Sequence, residues 1–301
     1  MGLESENISI RKTFLKAMRK IPVSPLRNQD REKVKAYFQS RSSFWQDVYS
    51  GEDTFAEIIR DRHAAVLAWV DSLILAPDSR ILEVGCGAGF LSVALAQCGF
   101  RIQAVDSVEA MVELAQQHAA ESGTTHRLSV DVGDVYSLAF ENDSFDLVIA
   151  VGVLPWLERV DQAIEEMARV TKPNGSIILT TANPLGLPYL LDPSTNPVLQ
   201  PLKKGVKNVL KRVGLYQKVP GMTFHGSHFM KKALSRAKLV KIRDMTLGFE
   251  FSFFRHKAVP EPLATMLHQR LQYLVGRNMP GFRSLGMSYH ILAQKSAPVE
   301  K

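Results

Sequence analysis

Cysteine, long apolar runs and, over one stretch, acidic residues are what this chain has least of. Two cysteines, Cys86 and Cys98, occur in 301 residues; they cannot make a disulfide framework, and a reducing, cytoplasmic setting is expected. No run of about 18 uninterrupted apolar residues is present, so a membrane-spanning helix is not expected. Glu4, Glu6, Arg11 and Lys12 near the start precede no apolar segment, which argues against a secretory signal, and Glu6 stands where a myristoylation signal needs Ser or Thr. No metal site is expected. Between Asp192 and Asp244 there is no acid at all, yet that span holds twelve Lys and Arg residues. The net charge of +7 therefore rests on one basic block set against a net acidic remainder, and such a block implies an anionic neighbour.

What is present is concentrated in Ile81-Leu82-Glu83-Val84-Gly85-Cys86-Gly87-Ala88-Gly89-Phe90. A short apolar strand runs into a glycine turn and then into a helix from Leu91 to Cys98. Glycines allow a sharp turn and a close ligand approach, and the following helix offers unpaired N–H groups at its start. A dinucleotide fingerprint needs its third glycine where Phe90 stands, which weakens a pyrophosphate reading. Glu83 argues the same way, since a carboxylate repels pyrophosphate but suits an ammonium or sulfonium group.

Four more segments follow in order. A strand from Arg101 to Val105 ends at Asp106, about twenty positions past Gly85, where a nucleoside-binding α/β unit places its ribose acid. Ser107 to Met111 then opens a helix. Gly133-Asp134-Val135 precedes Leu138 and Phe140, Ser144 to Ala150 is a strand of the type F-D-x-V, and Ala168 to Ser176 turns through Lys172-Pro173-Asn174-Gly175. Together these segments resemble the motifs of the class I methyltransferases that use S-adenosylmethionine. The resemblance implies that Glu83, Gly85, Gly87, Gly89, Asp106, Ser107, Met111, Asp134, Val135 and Ala150 contact this cofactor. It further implies that Met111 packs on the adenine and that Asp134 reaches the adenine amino group. One departure is Ala139, where the family has proline.

Strands at 81–84, 101–105, 128–132, 146–151 and 176–182 alternate with helices at 90–98, 108–121 and 161–170. That alternation predicts a doubly wound parallel α/β sheet with ligands at the carboxyl ends of its strands. The resemblance adds an antiparallel last strand in a C-terminal hairpin. The expected organisation is a basic lead over residues 1–35 and a methyltransferase domain over 36–301. Within the latter lie a cofactor-binding core at 80–183 and cap insertions at 184–227 and 255–285. Helices are expected at 31–38 and 54–73, the second carrying Ile58, Ile59, Arg62, Ala65, Val66 and Trp69 on or near one face.

Methyl transfer from a sulfonium is an in-line displacement governed by positioning and desolvation; a general base is needed only when the nucleophile carries a proton. Candidate groups for such chemistry are His225, His228, Asp192 and Tyr189, while His63 suits a structural hydrogen bond. Trp156, after the fourth strand, could stack on a flat substrate, and the absence of N/D-P-P-Y there speaks against amino-group methylation of adenine, cytosine or glutamine. Tyr37-Phe38 and the Trp45 to Tyr49 segment are similar to the leading helices of quinone and magnesium-protoporphyrin methyltransferases, which favours a small hydrophobic or lipid-like acceptor. Leu202, Val206, Val209, Leu210 and Val213 share a helical face ringed by Lys203, Lys204, Lys207 and Lys211, a basic amphipathic pattern suited to an anionic membrane surface or an acidic carrier. An RNA or protein methyltransferase using the basic cap is an alternative, but the only aromatics between Asp192 and Asp244 are Tyr216, Phe224 and Phe229, thin for nucleic acid. A non-catalytic S-adenosylmethionine-binding module is a further alternative; retention of Glu83, Asp106 and Asp134 argues against it.

Overall fold

Ile81, Leu147, Ile149 and Ile178 pack on one side of a central sheet and Leu82, Val84, Val148, Ile177 and Leu179 on the other. A strand has a side-chain period of two, so strands apolar in both registers require helices on both faces. The computed structural model describes residues 28–192, 196, 222–253, 256–257, 259–277, 279 and 281–297. In chain order its elements are α1 (Asn28–Gln39), α2 (Ser42–Asp47), α3 (Thr54–Ser72), β1 (Arg80–Val84), α4 (Phe90–Gln97), β2 (Arg101–Asp106), α5 (Glu109–Glu121), β3 (Leu128–Val132) and β4 (Phe145–Ala150). After a short 3-10 turn (Leu154–Trp156) come α6 (Val160–Val170), β5 (Thr171–Ala182), α7 (Leu187–Leu191), α8 (Ser227–Arg236), β6 (Leu239–Leu247), β7 (Ser252–Phe253), β8 (His256–Lys257), α9 (Glu261–Gly276) and β9 (Ser288–Lys295).

Seven strands form one sheet in the order β3-β2-β1-β4-β5-β9-β6. The first five are parallel, and β9 runs antiparallel to both of its neighbours, β5 and β6. The fold is thus the class I methyltransferase sheet, including the expected C-terminal hairpin. On one face α6 and α8 bury Ile164, Met167, Met230 and Leu234; on the other α3, α4 and α5 bury Val66, Trp69, Leu91, Leu95 and Ala115. α9 braces α3 through polar bonds: Thr54 Oγ1 donates to Glu261 Oε2 (2.9 Å), Gln269 to Glu57 (2.7 Å), and His268 Nε2 lies 3.1 Å from Asp61.

Two boundaries differ from the sequence reading. The lead drawn over residues 1–35 overlaps α1, whose Asn28 start lies inside it. β5 begins at Thr171 rather than 176, because Thr171 already pairs with Phe145 before the register shifts at the Lys172–Gly175 bulge. The basic helix expected at 202–213 lies outside the described residues. Among the described residues no helix is long and apolar enough to cross a membrane, and no group of three or more His, Cys, Asp or Glu could hold a metal ion.

Candidate functional site

The turn after β1 is made by three glycines in left-handed conformation, Gly85 (φ 70°), Gly87 (φ 53°) and Gly89 (φ 80°), where other residues are strained. They are not equivalent. A Cβ on Gly85 would stand 2.4 Å from Val153 Cγ2, and one on Gly89 2.7 Å from Ala115 Cβ, whereas one on Gly87 would meet nothing within 4 Å. The outer glycines permit packing and the middle one faces open space. Val105 O anchors the turn by accepting from the N–H groups of Gly85 (2.7 Å) and Cys86 (3.2 Å).

Asp106, at the end of β2, closes the other side of that space. Its Oδ2 accepts from Gly87 N and its Oδ1 from Val108 N, each at 3.0 Å. Burial raises its pKa, and the N–H groups of Gly87, Val108 and Ser107 oppose that rise. Ser107 is exposed and Met111 buried in the first turns beyond it. Glu83 is fully enclosed and accepts from the Ser92 hydroxyl on α4. Burial pushes its pKa up to about 7, with the Ser92 bond opposing and the Asp106 charge adding to the rise. A cationic ligand group nearby would restore its charge.

Asp134 is exposed and already engaged. Its Oδ1 accepts from Tyr136 N (3.0 Å) and its Oδ2 from Arg31 on α1 (2.8 Å), while the Arg31 guanidinium sits 4.6 Å over the Tyr136 ring. Burial alone would raise the Asp134 pKa; the Tyr136 N–H and Arg31 outweigh it and hold the pKa below its usual value. Val135 packs in the core against α6, and Ala150 is fully buried at the end of β4. Trp156 is not open to solvent on its face: Tyr37 stacks on it at 5.8 Å and Phe38 meets it edge-on at 5.2 Å, so α1 and the turn after β4 form one aromatic wall.

The catalytic candidates separate. His228 is exposed in the first turn of α8, while the other three candidates are buried. Tyr189 is buried, edge-on to Phe224 at 4.9 Å, and burial pushes its hydroxyl to about 12. Asp192 is buried where its backbone carbonyl accepts from Asn196 N (2.8 Å). His225 is buried and stacked on Phe229, and burial lowers its pKa to about 4. Its tautomer follows from its partner. The Thr223 hydroxyl donates its one proton to Pro155 O (2.9 Å), so across the 2.9 Å contact His225 Nε2 must donate, which leaves Nδ1 as a buried acceptor without a partner. His63 takes the expected structural bond, 3.0 Å from the Tyr49 hydroxyl. The residue that sequence reasoning passed over is Arg62. Its signal was there, a guanidinium on the apolar face of a helix.

Residues 82–179 match the model of a methyltransferase domain. This segment is thus similar to the methyltransferase domains of the class I enzymes that use S-adenosylmethionine. The ubiquinone biosynthesis O-methyltransferase of Paracidovorax citrulli (strain AAC00-1) is 32% identical over 157 residues, 52% of this chain and 64% of that protein, so the match spans less than two thirds of the relative's length. The magnesium protoporphyrin IX methyltransferase of Synechocystis PCC 6803, solved with bound SAH, superposes with a TM-score of 0.59 at 22% identity, covering 89% of this chain and 100% of that one. The cyclase SpnF superposes with a TM-score of 0.57 at 16% identity, covering 92% of this chain and 98% of the other. At such identities the two structures speak to the fold, and a cyclase among them shows that this fold does not by itself decide the reaction.

Proposed function

We propose that the protein transfers a methyl group from S-adenosylmethionine to a small, hydrophobic or lipid-like acceptor. The observation that carries this reading is the open space at Gly87, bounded by a carboxylate that the backbone holds in place. Asp106 keeps lone pairs for the ribose hydroxyls, Glu83 suits the cationic end of the cofactor, and the residues present fit the group. When bound, S-adenosylmethionine supplies the methyl electrophile. The chain's own work is then to position and to exclude water, which Tyr37, Phe38 and Trp156 do as an apolar wall. His225 stays unprotonated at neutral pH, so its Nδ1 can accept a hydrogen bond from a hydroxyl acceptor and orient it, although burial leaves it a weak base. Calorimetry with S-adenosylmethionine and with NAD tests the cofactor assignment. Binding of the first and not the second is expected; preference for NAD would overturn it.

The lipid-like character of the acceptor rests on a separate surface. Val240 and Ile242 on the edge strand β6 are each 56% exposed, beside exposed Lys241 and Arg243, and α8 exposes Lys231, Lys232 and Arg236. We expect salt-sensitive co-sedimentation with anionic vesicles, each Lys near the surface contributing about 1 kcal/mol. Replacing Lys203, Lys204, Lys207 and Lys211 with Gln should weaken it without changing cofactor affinity. Indifference to vesicles together with a steep salt dependence of RNA binding would favour the nucleic-acid alternative.

A further inference from the structure

Tyr136 lies between two acids and carries a cation on its ring. At its backbone end Tyr136 N donates to Asp134 Oδ1 (3.0 Å); at its phenolic end Tyr136 Oη accepts from Glu158 N (3.0 Å) and Arg159 N (3.1 Å). The ring also packs against the core, so its plane is held in place. Arg31, from α1, sits 4.6 Å over the ring centroid and donates through Nη2 to Asp134 Oδ2 (2.8 Å). The charge of Glu158 reaches the same guanidinium. Only Asp134 is bonded to it, however. Glu158 Oε1 is buried without a hydrogen-bond partner among the described residues, and Arg159, which stands 5.0 Å from the ring centroid, does not bond that oxygen.

The sheet order gives this arrangement a consequence. Along β3-β2-β1-β4 the carboxyl ends present, in a row, Asp134, Asp106, the glycine turn and the turn that carries Trp156. A nucleoside with its ribose on Asp106 and its cationic end toward the glycine turn lays its base over the end of β3, where an exocyclic amino group meets Asp134. That amino group competes with Arg31 for Asp134 Oδ2, which is the differential contact a ligand needs to shift an equilibrium. A displaced guanidinium can keep its face on the Tyr136 ring and meet the unpaired carboxylate oxygen at the other end. About two turns further along α1 stand Tyr37 and Phe38, which meet Trp156 at 5.8 and 5.2 Å. Movement of α1 along the ring is therefore felt at the acceptor wall.

We propose that Arg31 is a two-position switch, seated on Asp134 in the empty protein and moved along Tyr136 to Glu158 when the cofactor's base arrives, so that α1 resets the wall at Trp156. The inference rests on the reading of the pocket as an S-adenosylmethionine site. Calorimetry on the full chain tests it with S-adenosylhomocysteine and its inosine counterpart, in which an oxo group replaces the adenine amino group, and tryptophan fluorescence is read alongside. Wild type should prefer the adenine form by about tenfold or more, and its fluorescence should change on binding through Trp156. Glu158→Gln weakens the second seat. It should lower S-adenosylhomocysteine affinity about three- to tenfold, leave the inosine form unchanged, and have no effect in an Arg31→Met background, where no guanidinium needs a seat. Arg31→Met alone should lose the fluorescence change, as should Trp156→Phe. Wild-type affinity in Glu158→Gln, an equal loss with and without Arg31, or a fluorescence change that survives Arg31→Met or Trp156→Phe overturns the switch and leaves the proposed function intact. Equal binding of the two nucleosides by wild type puts the amino group elsewhere than Asp134 and also overturns the switch alone. A wild-type protein that binds neither overturns the proposed function and this inference with it.

Discussion

On the side of the pocket built by β1 and β2, Asp106 commits both oxygens to backbone N–H groups and Glu83 accepts from Ser92. Away from that side, on both faces of the sheet, Trp45 Nε1, Arg62 Nε, Glu158 Oε1, Thr181 Oγ1, His225 Nδ1 and His290 Nδ1 are buried without partners among the described residues. Buried polar groups are ordinarily paired, and each orphan costs about 1–3 kcal/mol. The first side is thus finished by the chain alone, as a nucleoside cradle should be, while the second side keeps unpaired polar atoms.

The most severe way to break this comparison is through the glycines. Gly85→Ala forces a methyl against Val153 in a left-handed backbone and should cost about 2–5 kcal/mol of stability in urea unfolding. Gly87→Ala should cost only about 1–2 kcal/mol, yet fill the space assigned to the cofactor and abolish nucleoside binding by calorimetry. Normal binding by Gly87→Ala would mean that the open space is not the cofactor's. Next in size is Asp106→Ala, which strands the donors it served and should weaken S-adenosylmethionine by about 1–3 kcal/mol; wild-type affinity in the folded variant would remove Asp106 from the site.

The smallest effect sharpens the role of Glu83. Its folded pKa of about 7 lies above the ordinary 4.5, so its contribution to ligand-free stability is full below about pH 4.5 and is lost as the pH climbs through about 7. A cationic ligand should reverse the shift, releasing a fraction of a proton on binding near pH 6.5. That release appears as a binding enthalpy that varies with the ionisation enthalpy of the buffer. Glu83→Gln should abolish it and flatten the loss of stability between about pH 4.5 and about pH 7. A proton count of zero in wild type would mean that the ligand's charge lies elsewhere.

Much of the first side was legible in the sequence because its signals are local. Gly85, Gly87 and Gly89 announce a turn, and the apolar alternation around Leu147 and Ile177 announces strands buried on both faces. The second side depends on contacts between distant parts of the chain. Nothing near Asp134 shows that Arg31, 103 residues earlier, will take one of its oxygens, nor that Tyr37 will cover Trp156. His228 and His225 looked alike in sequence; only the start of α8 exposes one, while the bridge between Ala182 and Phe224 carries the other inward. Arg62 was visible as a charge on an apolar helical face, and its place beside Gly152 came only with the fold.

The seating of β9 between β5 and β6 carries a consequence for how the molecule comes into being. β5 is buried along nearly its whole length, with Ile177, Ile178 and Leu179 fully enclosed, and its outer edge is paired by a strand that begins more than a hundred residues later. During synthesis the five parallel strands can assemble as soon as they emerge, and the nucleoside cradle with them. Until Ser288–Lys295 arrives, however, β5 presents a bare apolar edge of the kind that recruits other chains. The newborn protein should therefore hold its cofactor before it owns a finished sheet, and an early-bound nucleoside would guard the half-built domain while the last strand is made.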